Sequence, residues 1–388
     1  MDFRWSPATE ARRADVRAFL AEHLTPELEE RVHRTGVSHD PEFARQLAVR
    51  GWIAPGWPTD DGEALDVESV DMLASELARA EAPVYATSTT MMVARVIRAV
   101  GSEELQAEVL PPALRGEVTI ALGMSEPEAG SDVAAVQTRA RRLDDGDGGW
   151  VIDGQKMFTT NGHVTDYVFL LARTNPDVPR HRGLTTFLVP LDRPGIEVQA
   201  VYTLSGERTN ITFYSEVHLE DRWRIGDVDA GWSALMLSLQ DEHSVGFSAH
   251  LDRLLEDAEA WAQEPPEPGE PPPIDRPDVQ DRLARCATGL EVAQLLEART
   301  TWMEANDIVP VAEGPMAKLF STEALVRGAE DLTELVGPDG LRSRTDPTAL
   351  RGGRIEHALR FSLGTTIYAG TSEIQRNIVA RHGCGLPR

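Results

Sequence analysis

Six short runs rich in β-branched and aromatic residues lie between residues 118 and 220: VTIALGM (118–124), WVIDGQKMFTT (150–160), DYVFLLART (166–174), LTTFLVPL (184–191), IEVQAVYTL (196–204) and ITFYSEVHL (211–219). Turn residues separate the runs, and apolar residues at helical spacing do not interrupt them, which is typical of β-strands. A series of consecutive short strands predicts a central antiparallel sandwich or barrel.

The residues on both sides of these runs have the spacing of helices. Apolar residues recur every three or four positions from about residue 8 to residue 117, and again from Trp232 almost to the end of the chain. Helices, then strands, then helices do not fit a doubly wound parallel sheet. We therefore expect an α+β protein with three domains: N-terminal helices over 1–117, the β domain over 118–228 and C-terminal helices over 229–388.

One segment interrupts the second helical block. Residues 264–278 read EPPEPGEPPPIDRPD and contain seven prolines. Proline removes a backbone donor and clashes with the preceding turn of a helix, so this segment is not helical. We expect an extended connection between two long helices.

Composition excludes several classes of function. The chain has 388 residues, with 38 Lys and Arg against 63 Asp and Glu, which gives a formal net charge of −25. This excess of negative charge argues against nucleic acid or an anionic membrane as the main partner. The sequence has no apolar run of about 18 residues, and its first residues, MDFRWSPATEARRADVR, lack the apolar core of a signal peptide. Two cysteines, Cys286 and Cys384, are too few for a disulfide framework or a zinc site, so we expect a cytoplasmic protein without a metal site.

The run GMSEPEAGSD, Gly123 to Asp132, is the first candidate for a ligand site. It leaves a predicted strand, passes through a proline and several small residues, and ends in a Ser-Asp pair. Such a turn exposes backbone N–H groups and hydroxyls to a polar, planar or anionic ligand. The alternative is an ordinary turn in which Ser131 or Asp132 caps the next element. The sequence contains neither G-x-G-x-x-G nor G-x-x-x-x-G-K-[ST], so Rossmann and P-loop nucleotide sites are not indicated.

Three motifs, in chain order, resemble those of the acyl-CoA dehydrogenase family. GMSEPEAGSD matches the family's first flavin signature at every defined position. QKMFTTNG, Gln155 to Gly162, resembles its K-x-W-[IT]-[ST]-N-G strand, with Phe158 where Trp is usual. Thr366 to Arg388 is similar to its C-terminal helix and tail. The resemblance implies the family's three-domain fold, ending in a four-helix bundle, and is closest to the actinobacterial branch.

The resemblance implies an FAD that lies against the β domain. The matching positions in this domain are Leu122, Met124, Ser125, Ser131, Phe158 and Thr160. Met124 and Ser125 would contact the isoalloxazine, and Ser131 would bind a flavin phosphate or the pantetheine arm of the substrate. Phe158 would stack near the ring, and Thr160 would bond near N5. Donors aimed at the ring stabilise the charge that a flavin gains when it is reduced.

The resemblance also assigns four C-terminal positions to FAD. Glu334 and Gly337 match the family's [QE]-x-x-G-[GS]-x-G loop around the adenosine end of a second subunit's FAD, although Pro338 stands where a small residue is expected. Thr371 and Glu373 would complete the flavin site near the phosphates.

The family's reaction needs a carboxylate that removes the α-proton of an acyl thioester while the β-hydrogen leaves as hydride. In many members a Glu stands immediately before the Gly-Thr pair of the C-terminal motif. Here that position is Ala369, so the usual base is absent. A second arrangement in the family places the Glu on the first long helix after the strand domain. The run Leu239-Gln240-Asp241-Glu242-His243 occupies that place and makes Glu242 the candidate base.

The spacing around Glu242 supports this assignment. Leu235, Leu239, Glu242, Gly246 and Ala249 follow one another at intervals of 4, 3, 4 and 3, which predicts one face of a helix. Glu242 is then the one acid on an apolar stripe, where desolvation raises the pKa of a carboxyl group. The alternative is a solvated helix acid, because Glu is rarely buried.

Five positions are candidates for contact with the substrate: Ser131, Leu239, His243, Ala369 and Gly370. His243 would orient Glu242 or meet the CoA arm, or it is simply packed. By analogy with the family, the backbone N–H of Ala369 would polarise the thioester carbonyl. The small side chain of Ala369 widens the acyl cavity and suggests a branched or bulky acyl group.

The quaternary structure stays open. Family members usually carry R-x-x-F-G after the first long helix, where the Arg grips a partner's FAD, but residues 264–278 replace that motif here. We expect a homodimer, a homotetramer, or a heterotetramer with a homologous chain.

We expect FAD-dependent oxidation of an acyl-CoA to a trans-2-enoyl-CoA, with electron-transfer flavoprotein as the acceptor. The alternatives are an FAD- and CoA-binding structural subunit of a heteromeric dehydrogenase, or a related flavin oxidase or monooxygenase that acts on a CoA or carrier-protein thioester. Because CoA is polyanionic and the chain carries −25, a CoA substrate would require basic residues concentrated at the mouth of the site.

Overall fold

The computed structural model describes residues 3–57, 64–143, 148–242 and 246–387, with the backbone alone for 239–242. The chain forms two compact units. The β unit consists of Ala21–Ala64 and Ala82–Asp241, and the helical unit of Met1–Leu20, Leu65–Glu81 and Glu242–Arg388. The domain boundaries expected at residues 117 and 228 stay a prediction.

The N-terminal part of the chain is helical, as its periodicity predicts. The helices are α1 (Pro7–His23), α2 (Pro26–Thr35), α3 (Pro41–Val49), α4 (Val67–Arg79), α5 (Tyr85–Val100) and α6 (Glu103–Leu114). Four of them begin after a side chain that accepts a hydrogen bond from the backbone N–H three residues on: Thr25, Asp40, Asp66 and Ser102. These caps satisfy donors that the first turn of a helix leaves unpaired.

A mixed sheet forms the centre of the β unit. Its strands in the described residues are β1 (Ile120–Gly123), β2 (Arg139–Arg142), β3 (Trp150–Lys156), β4 (Tyr167–Arg173), β5 (Leu184–Pro190), β6 (Ile196–Tyr202), β7 (Arg208–Leu219) and β8 (Arg224–Ile225). The strand order is β6-β7-β3-β2-β4-β5-β8, and β1 pairs with β4. Most neighbours are antiparallel, as expected, whereas β1 and β2 run parallel to β4.

Strand β4 lies at the centre of the β-unit core. Its residues Val168, Phe169, Leu170, Leu171 and Ala172 are all inaccessible to solvent. Such a continuous apolar run is typical of a strand covered on both faces. Side chains of α5 and α6 and the β5 side chains pack against the same core. Burying each large aliphatic or aromatic side chain stabilises the fold by about 1.5–3 kcal/mol.

The C-terminal part of the chain contains six further helices in the described residues: α7 (Gly231–Glu242), α8 (Ser248–Gln263), α9 (Pro277–Ala305), α10 (Glu313–Val336), α11 (Arg354–Thr365) and α12 (Ser372–Ile378). Helix α10 packs against α8, α9 and α11, so these four helices form the expected bundle. Their shared core includes Leu251, Leu254, Leu325 and Leu332. The α+β fold with helical, strand and helical parts is confirmed.

The proline-rich segment connects two helices, as predicted. Helix α8 ends at Gln263 and α9 begins at Pro277, with a single 3₁₀ turn at Pro273–Asp275 between them. Pro277 occupies the first turn of α9, where its missing N–H costs nothing. Within the described residues, no helix is both long and apolar enough to cross a bilayer.

The expectation of one continuous helical face from Leu235 to Ala249 is wrong. Helix α7 ends at Glu242 and α8 begins at Ser248, and Gly246 and Phe247 are not helical. The cause is a contact from α9. The Glu297 carboxylate accepts hydrogen bonds from the Ser248 backbone N–H at 3.1 Å and from the Ser248 hydroxyl, and thereby caps a new helix. Gly246 permits this approach, because a Cβ there would lie 2.0 Å from the Glu297 carboxyl carbon.

Candidate active site

The segment after β1 forms a closed turn. β1 ends at Gly123, and the Glu126 and Ala129 backbones then exchange hydrogen bonds, N to O, at 2.9 and 3.1 Å. Such a reciprocal pair fixes the path of Met124–Asp132, the first predicted ligand motif. The turn is therefore an ordered part of the β unit and is built directly on the end of a buried strand.

A buried ion pair fastens this turn to β3. The Lys156 ammonium donates to Glu126 Oε1 at 2.8 Å and to the Met124 carbonyl at 3.1 Å. Glu126 Oε2 accepts a hydrogen bond from the Gln137 backbone N–H at 2.6 Å. Oε1 accepts a further one from the Thr138 backbone N–H at 2.8 Å. Lys156 is fully buried and Glu126 nearly so. A buried charge is tolerated when it is paired and hydrogen-bonded, and both conditions are met here.

The pKa of each partner depends on burial and on the charge of the other partner. Burial raises the pKa of the Glu126 carboxyl, but Lys156 and the two backbone N–H groups outweigh this effect and hold the pKa below its usual range. Burial lowers the pKa of the Lys156 ammonium to about 8, against the attraction of Glu126. Glu126 is therefore ionised at neutral pH, and its negative charge is compensated inside the protein. The surface of the turn presents no charge from this residue to a ligand.

The second predicted motif lies beside the first. The Met157 N–H donates to the Ser125 carbonyl at 2.9 Å, and the Thr159 N–H donates to the Asn210 carbonyl at 2.9 Å. Phe158 has φ +59° and leaves 59% of its surface exposed, which is unusual for a large apolar side chain. The Thr160 and Thr209 hydroxyls are 3.1 Å apart. The structure thus brings together the motif positions that the sequence assigns to one ligand.

These residues fit a flavin. Leu122 and Met124 are half-buried against the β-unit core, Ser125 and Thr160 present half-buried hydroxyls, and the Ser131 hydroxyl is exposed. A planar heterocycle with polar edges needs this combination of an apolar surface, neutral donors and an exposed aromatic ring. The position of FAD itself, and the role of each of these residues, stay predictions.

Helix α7 is anchored on the first motif. Leu235 is fully buried and packs in one cluster with Ala129, Val136, Leu171 and Leu184, and Trp232 and Met236 lie against the same cluster. Seven residues of helix rise about 10 Å, so the anchor lies two turns before the end of α7. Glu242 is the last residue of this helix. The side chains of Leu239 and Glu242, and the whole of His243, lie outside the described residues.

The helical unit contains the turn that replaces the usual base. Ala369 has φ +53° and Gly370 has φ +81°. The Ala369 carbonyl accepts from Gln375 Nε2 at 2.9 Å, and the Gly370 carbonyl accepts from Lys318 Nζ at 2.8 Å. Thr371 follows and caps α12, because its hydroxyl accepts the Ile374 N–H at 3.3 Å. Glu373 is an exposed acid in the first turn of that helix.

An aromatic contact joins this turn to the start of α8. The rings of Phe247 and Tyr368 have their centroids 6.1 Å apart. The Phe247 N–H donates to Ser321 Oγ at 3.2 Å, one turn of α10 beyond Lys318. Tyr368 precedes Ala369 directly, and Phe247 follows Glu242 by five residues. The start of α8 and the turn that leads into Ala369 therefore meet within the helical unit, whereas residues 243–245, between Glu242 and this contact, lie outside the described residues.

Glu334 and Gly337 lie at the C-terminal end of α10, away from the turn at Ala369. Glu334 forms an ion pair with Arg282 at 3.3 Å, and Gly337 ends α10 with φ +76°. Sixteen residues of helix separate Lys318 from Glu334, which corresponds to about 24 Å. The expectation that the Glu334 loop serves the FAD of a second subunit stays a prediction.

Sequence reasoning missed two half-buried acids in the helical unit. Burial raises the pKa of the Glu297 carboxyl to about 7 although Ser248 donates to it twice, and burial raises the pKa of Asp71 on α4 to about 6. Both acids lie on helices whose polar and apolar positions are mixed, and no motif marks them. The roles of Lys156, Glu126 and Lys318 were missed as well, although the first two stand inside the quoted motifs.

Comparison with known proteins agrees with the motifs. Three acyl-CoA dehydrogenase domain families match in order: the N-terminal domain over residues 6–117, the middle domain over 121–221 and the C-terminal domain over 229–384. Acyl-CoA dehydrogenase FadE26 of Mycobacterium tuberculosis is 33% identical over 401 residues, which cover 100% of this chain and 99% of FadE26.

Solved structures show the same similarity. The Tcur3481-Tcur3483 steroid ACAD superposes with a TM-score of 0.91 at 31% identity, and the ChsE4-ChsE5 complex from Mycobacterium tuberculosis with 0.90 at 32%, each over the full length of both chains. Domain order, full-length identity and fold thus lead to one conclusion. The chain belongs to the acyl-CoA dehydrogenase family, the FAD-dependent oxidoreductases that act on the CH–CH group of an acyl-CoA, as the three sequence motifs predicted.

Proposed function

We propose that this chain oxidises an acyl-CoA to the trans-2-enoyl-CoA, with Glu242 as the base that removes the α-proton. The observation that carries this proposal is the placement of α7. Its residue Leu235 packs on the flavin motif within the β unit, two turns before the helix ends at Glu242. A carboxylate at the end of this helix would replace the acid that is missing at position 369.

In this proposal, different residues of the chain remove the proton, polarise the substrate carbonyl and support the flavin motif. The Glu242 carboxylate takes the α-proton and holds it. When bound, FAD would supply the two-electron oxidation that removes the β-hydrogen as hydride, with N5 as the acceptor. The backbone N–H of Ala369 donates to the thioester carbonyl and stabilises the negative charge that develops there as the α-proton leaves. The Glu126–Lys156 pair fixes the shape of the turn that carries Met124 and Ser125, which would contact the ring.

Anaerobic mixing with acyl-CoA thioesters tests the role of Glu242. A matching thioester should bleach the flavin absorption of the wild-type protein, and Glu242→Gln should slow the bleaching by about 10³-fold, because general-base removal of a proton typically contributes 10²–10⁴. Asp241→Asn is the matched control, since it removes the neighbouring acid about 100° around the helix. A Glu242→Gln variant that bleaches at the wild-type rate removes Glu242 from the mechanism.

We further propose a bulky acyl group. Ala369 leaves space where other members carry a Glu, and a structure of high similarity is named a steroid ACAD. A panel that compares octanoyl-CoA with a CoA thioester of a steroid side chain separates the possibilities. The ring-bearing thioester should bleach the flavin with the higher kcat/KM. Faster bleaching by the linear chain would refute this specificity.

We propose that the chain works beside a homologous chain and passes its electrons to an electron-transfer flavoprotein. Two similar structures carry the names of two proteins each, ChsE4-ChsE5 and Tcur3481-Tcur3483. Co-expression with a homologue should give a stable yellow complex that reduces electron-transfer flavoprotein. A homomeric protein with one FAD per chain and full turnover would refute the heteromer. Rapid peroxide formation in air would instead indicate an oxidase.

The alternative of a purely structural subunit makes a different prediction. In that case Glu242→Gln in the complex would leave turnover unchanged, and a carboxylate of the partner would be essential. The same variant therefore decides which chain supplies the base.

A further inference from the structure

We infer that Lys318 and Gln375 are positioning residues that hold the Ala369–Gly370 turn in the orientation needed to polarise the substrate carbonyl. We term these two side chains the turn clamp. The inference rests on the proposed role of the Ala369 N–H, which directly precedes the two peptides that the clamp holds. It assigns the shape of the turn to side chains that do not touch the substrate.

Both side chains reach the turn from the interior of the protein. Lys318 on α10 is fully buried, and its ammonium donates to the Gly370 carbonyl at 2.8 Å and to the Thr365 carbonyl at 2.9 Å. Gln375 on α12 is also fully buried, and its amide donates to the Ala369 carbonyl at 2.9 Å. Three carbonyls around one short turn are thus held by two side chains that solvent does not reach.

The direction of these bonds sets the direction of the neighbouring donors. In a trans peptide, the C=O and the N–H of the next residue point in opposite directions. Because the Ala369 and Gly370 carbonyls point inward to the clamp, the N–H groups of Gly370 and Thr371 point away from it. Among the described residues, the N–H groups of Ala369, Gly370 and Thr371 have no hydrogen-bond acceptor within the protein. The turn therefore presents successive donors to something outside the protein's own bonds.

The backbone of the turn needs such support. Ala369 has φ +53° and Gly370 has φ +81°, and a non-glycine residue in the left-handed region is sparsely populated and persists when its surroundings hold it. An ammonium on the Gly370 carbonyl also polarises that peptide and strengthens its N–H as a donor. Apolar side chains of the same volume often replace buried charges without loss of stability, so stability alone does not account for a lysine at this position. Its contribution is then the shape and polarity of the turn.

The test measures carbonyl polarisation separately from turnover. An aryl-acryloyl-CoA absorbs at longer wavelength when its thioester carbonyl accepts strong hydrogen bonds, so the red shift on binding to the holoprotein reports the turn. Lys318→Met should keep the flavin content and bind the probe with a Kd within about 3-fold of wild type. It should lose at least about half of the red shift and about 10- to 100-fold in kcat, with KM little changed.

Matched variants make the result decisive. Thr322→Val alters the same buried face of α10 without touching the turn, because the Thr322 hydroxyl bonds the Lys318 backbone carbonyl. It should leave the red shift intact. If Lys318→Met does not fold, Gln375→Met provides the decision, since it removes the donor to the Ala369 carbonyl. A full wild-type red shift in whichever of these clamp variants folds overturns the inference.

The probe also separates this inference from the proposed base. Glu242→Gln should lose turnover and keep the red shift, because it leaves the turn unchanged. A red shift absent from the wild-type complex would refute carbonyl polarisation and the clamp together. A red shift present in wild type and unchanged in both clamp variants would refute the clamp alone.

Discussion

At the scale of single residues, Glu126 and Lys156 carry the largest electrostatic consequence. Removing one partner of a buried ion pair leaves the other charge uncompensated in a low-dielectric environment, which costs about 3–5 kcal/mol. Glu126→Gln should therefore lower the free energy of unfolding in urea by that amount. The double variant Glu126→Gln/Lys156→Met should recover most of it, because both charges are then gone.

An exposed pair in the same region provides the control for this prediction. Arg180 and Asp132 form an ion pair at 3.0 Å with both side chains largely in solvent. Asp132→Asn should change the unfolding free energy by less than about 1 kcal/mol. A Glu126→Gln variant no less stable than Asp132→Asn would show that the buried pair has found another compensation.

The raised pKa of Glu297 predicts that the stability of the fold falls as the pH rises. Its pKa is about 7 in the folded protein against 4.5 ordinarily, so the folded state binds the proton more tightly than the unfolded state. Stability is then highest below about pH 4.5 for this group and falls as the pH rises toward 7, by about 3 kcal/mol in all. The raised pKa of Asp71 adds a loss of the same sign at lower pH.

The Glu297→Gln variant isolates this effect, because Gln keeps an acceptor for the Ser248 N–H and does not titrate. Urea unfolding at pH 5 and pH 7.5 should show a smaller difference between the two pH values in the variant than in wild type. Identical pH profiles for the two proteins would contradict the assignment. Residual slope below pH 6 in the variant is expected from Asp71.

The sequence predicts single residues of the motifs but not the ion pair between them. The resemblance to the family's motifs assigned Met124, Ser125, Phe158 and Thr160 to one ligand, and a hydrogen bond from the Met157 N–H to the Ser125 carbonyl joins the two motifs in the structure. A buried ion pair such as Glu126–Lys156, separated by 30 residues along the chain, depends on how β3 packs against the turn after β1. Such a contact is not visible in spacing or composition.

At the scale of elements, the break between α7 and α8 makes Glu242 the last residue of its helix. Gly246→Ala should force the Glu297 carboxylate to move, because the new Cβ would lie 2.0 Å from it, and α8 would lose its cap. Loss of a helix cap costs about 0.5–2 kcal/mol. We expect a corresponding fall in the melting temperature, together with slower bleaching of the flavin by substrate.

Gly56→Ala is the matched substitution, since nothing lies within 4 Å of a Cβ built at Gly56. It should leave both the melting temperature and the bleaching rate close to wild type. Equal effects of the two substitutions would mean that the approach of Glu297 does not define the start of α8.

Among the elements, the sequence predicted the long periodic helices and the apolar strands but missed two strands. β2 consists of Arg139–Arg142, in which only Ala140 is buried, and β8 is two residues long. Neither has the apolar alternation that marks a strand, since both take their conformation from their neighbours. The helical face through Gly246 was wrong for the same reason, because Glu297 on a distant helix breaks it.

At the scale of the whole molecule, the net charge of −25 bears on how the substrate arrives. If CoA carries the acyl group, basic residues at the mouth of the site must attract its phosphates. The KM for an acyl-CoA should then rise between about 0.02 and 0.5 M salt, where the Debye length falls from roughly 20 Å to about 4 Å. The matching acyl-pantetheine, which lacks those phosphates, should show no such rise. A KM for acyl-CoA that falls with salt would indicate that the negative body dominates and that another carrier delivers the thioester.

The parallel pairing of β1 with β4 has a consequence for the order of folding. Ile120 pairs with Tyr167, 47 positions later in the sequence, so β2 and β3 must be accommodated in the loop between them before the flavin motif gains its support. Closing such a long loop is slow relative to forming the local helices on either side. Before β4 has emerged from the ribosome, we therefore expect the nascent chain to contain helices but no supported flavin motif. We therefore expect this protein to capture its flavin late, after the sheet has collapsed.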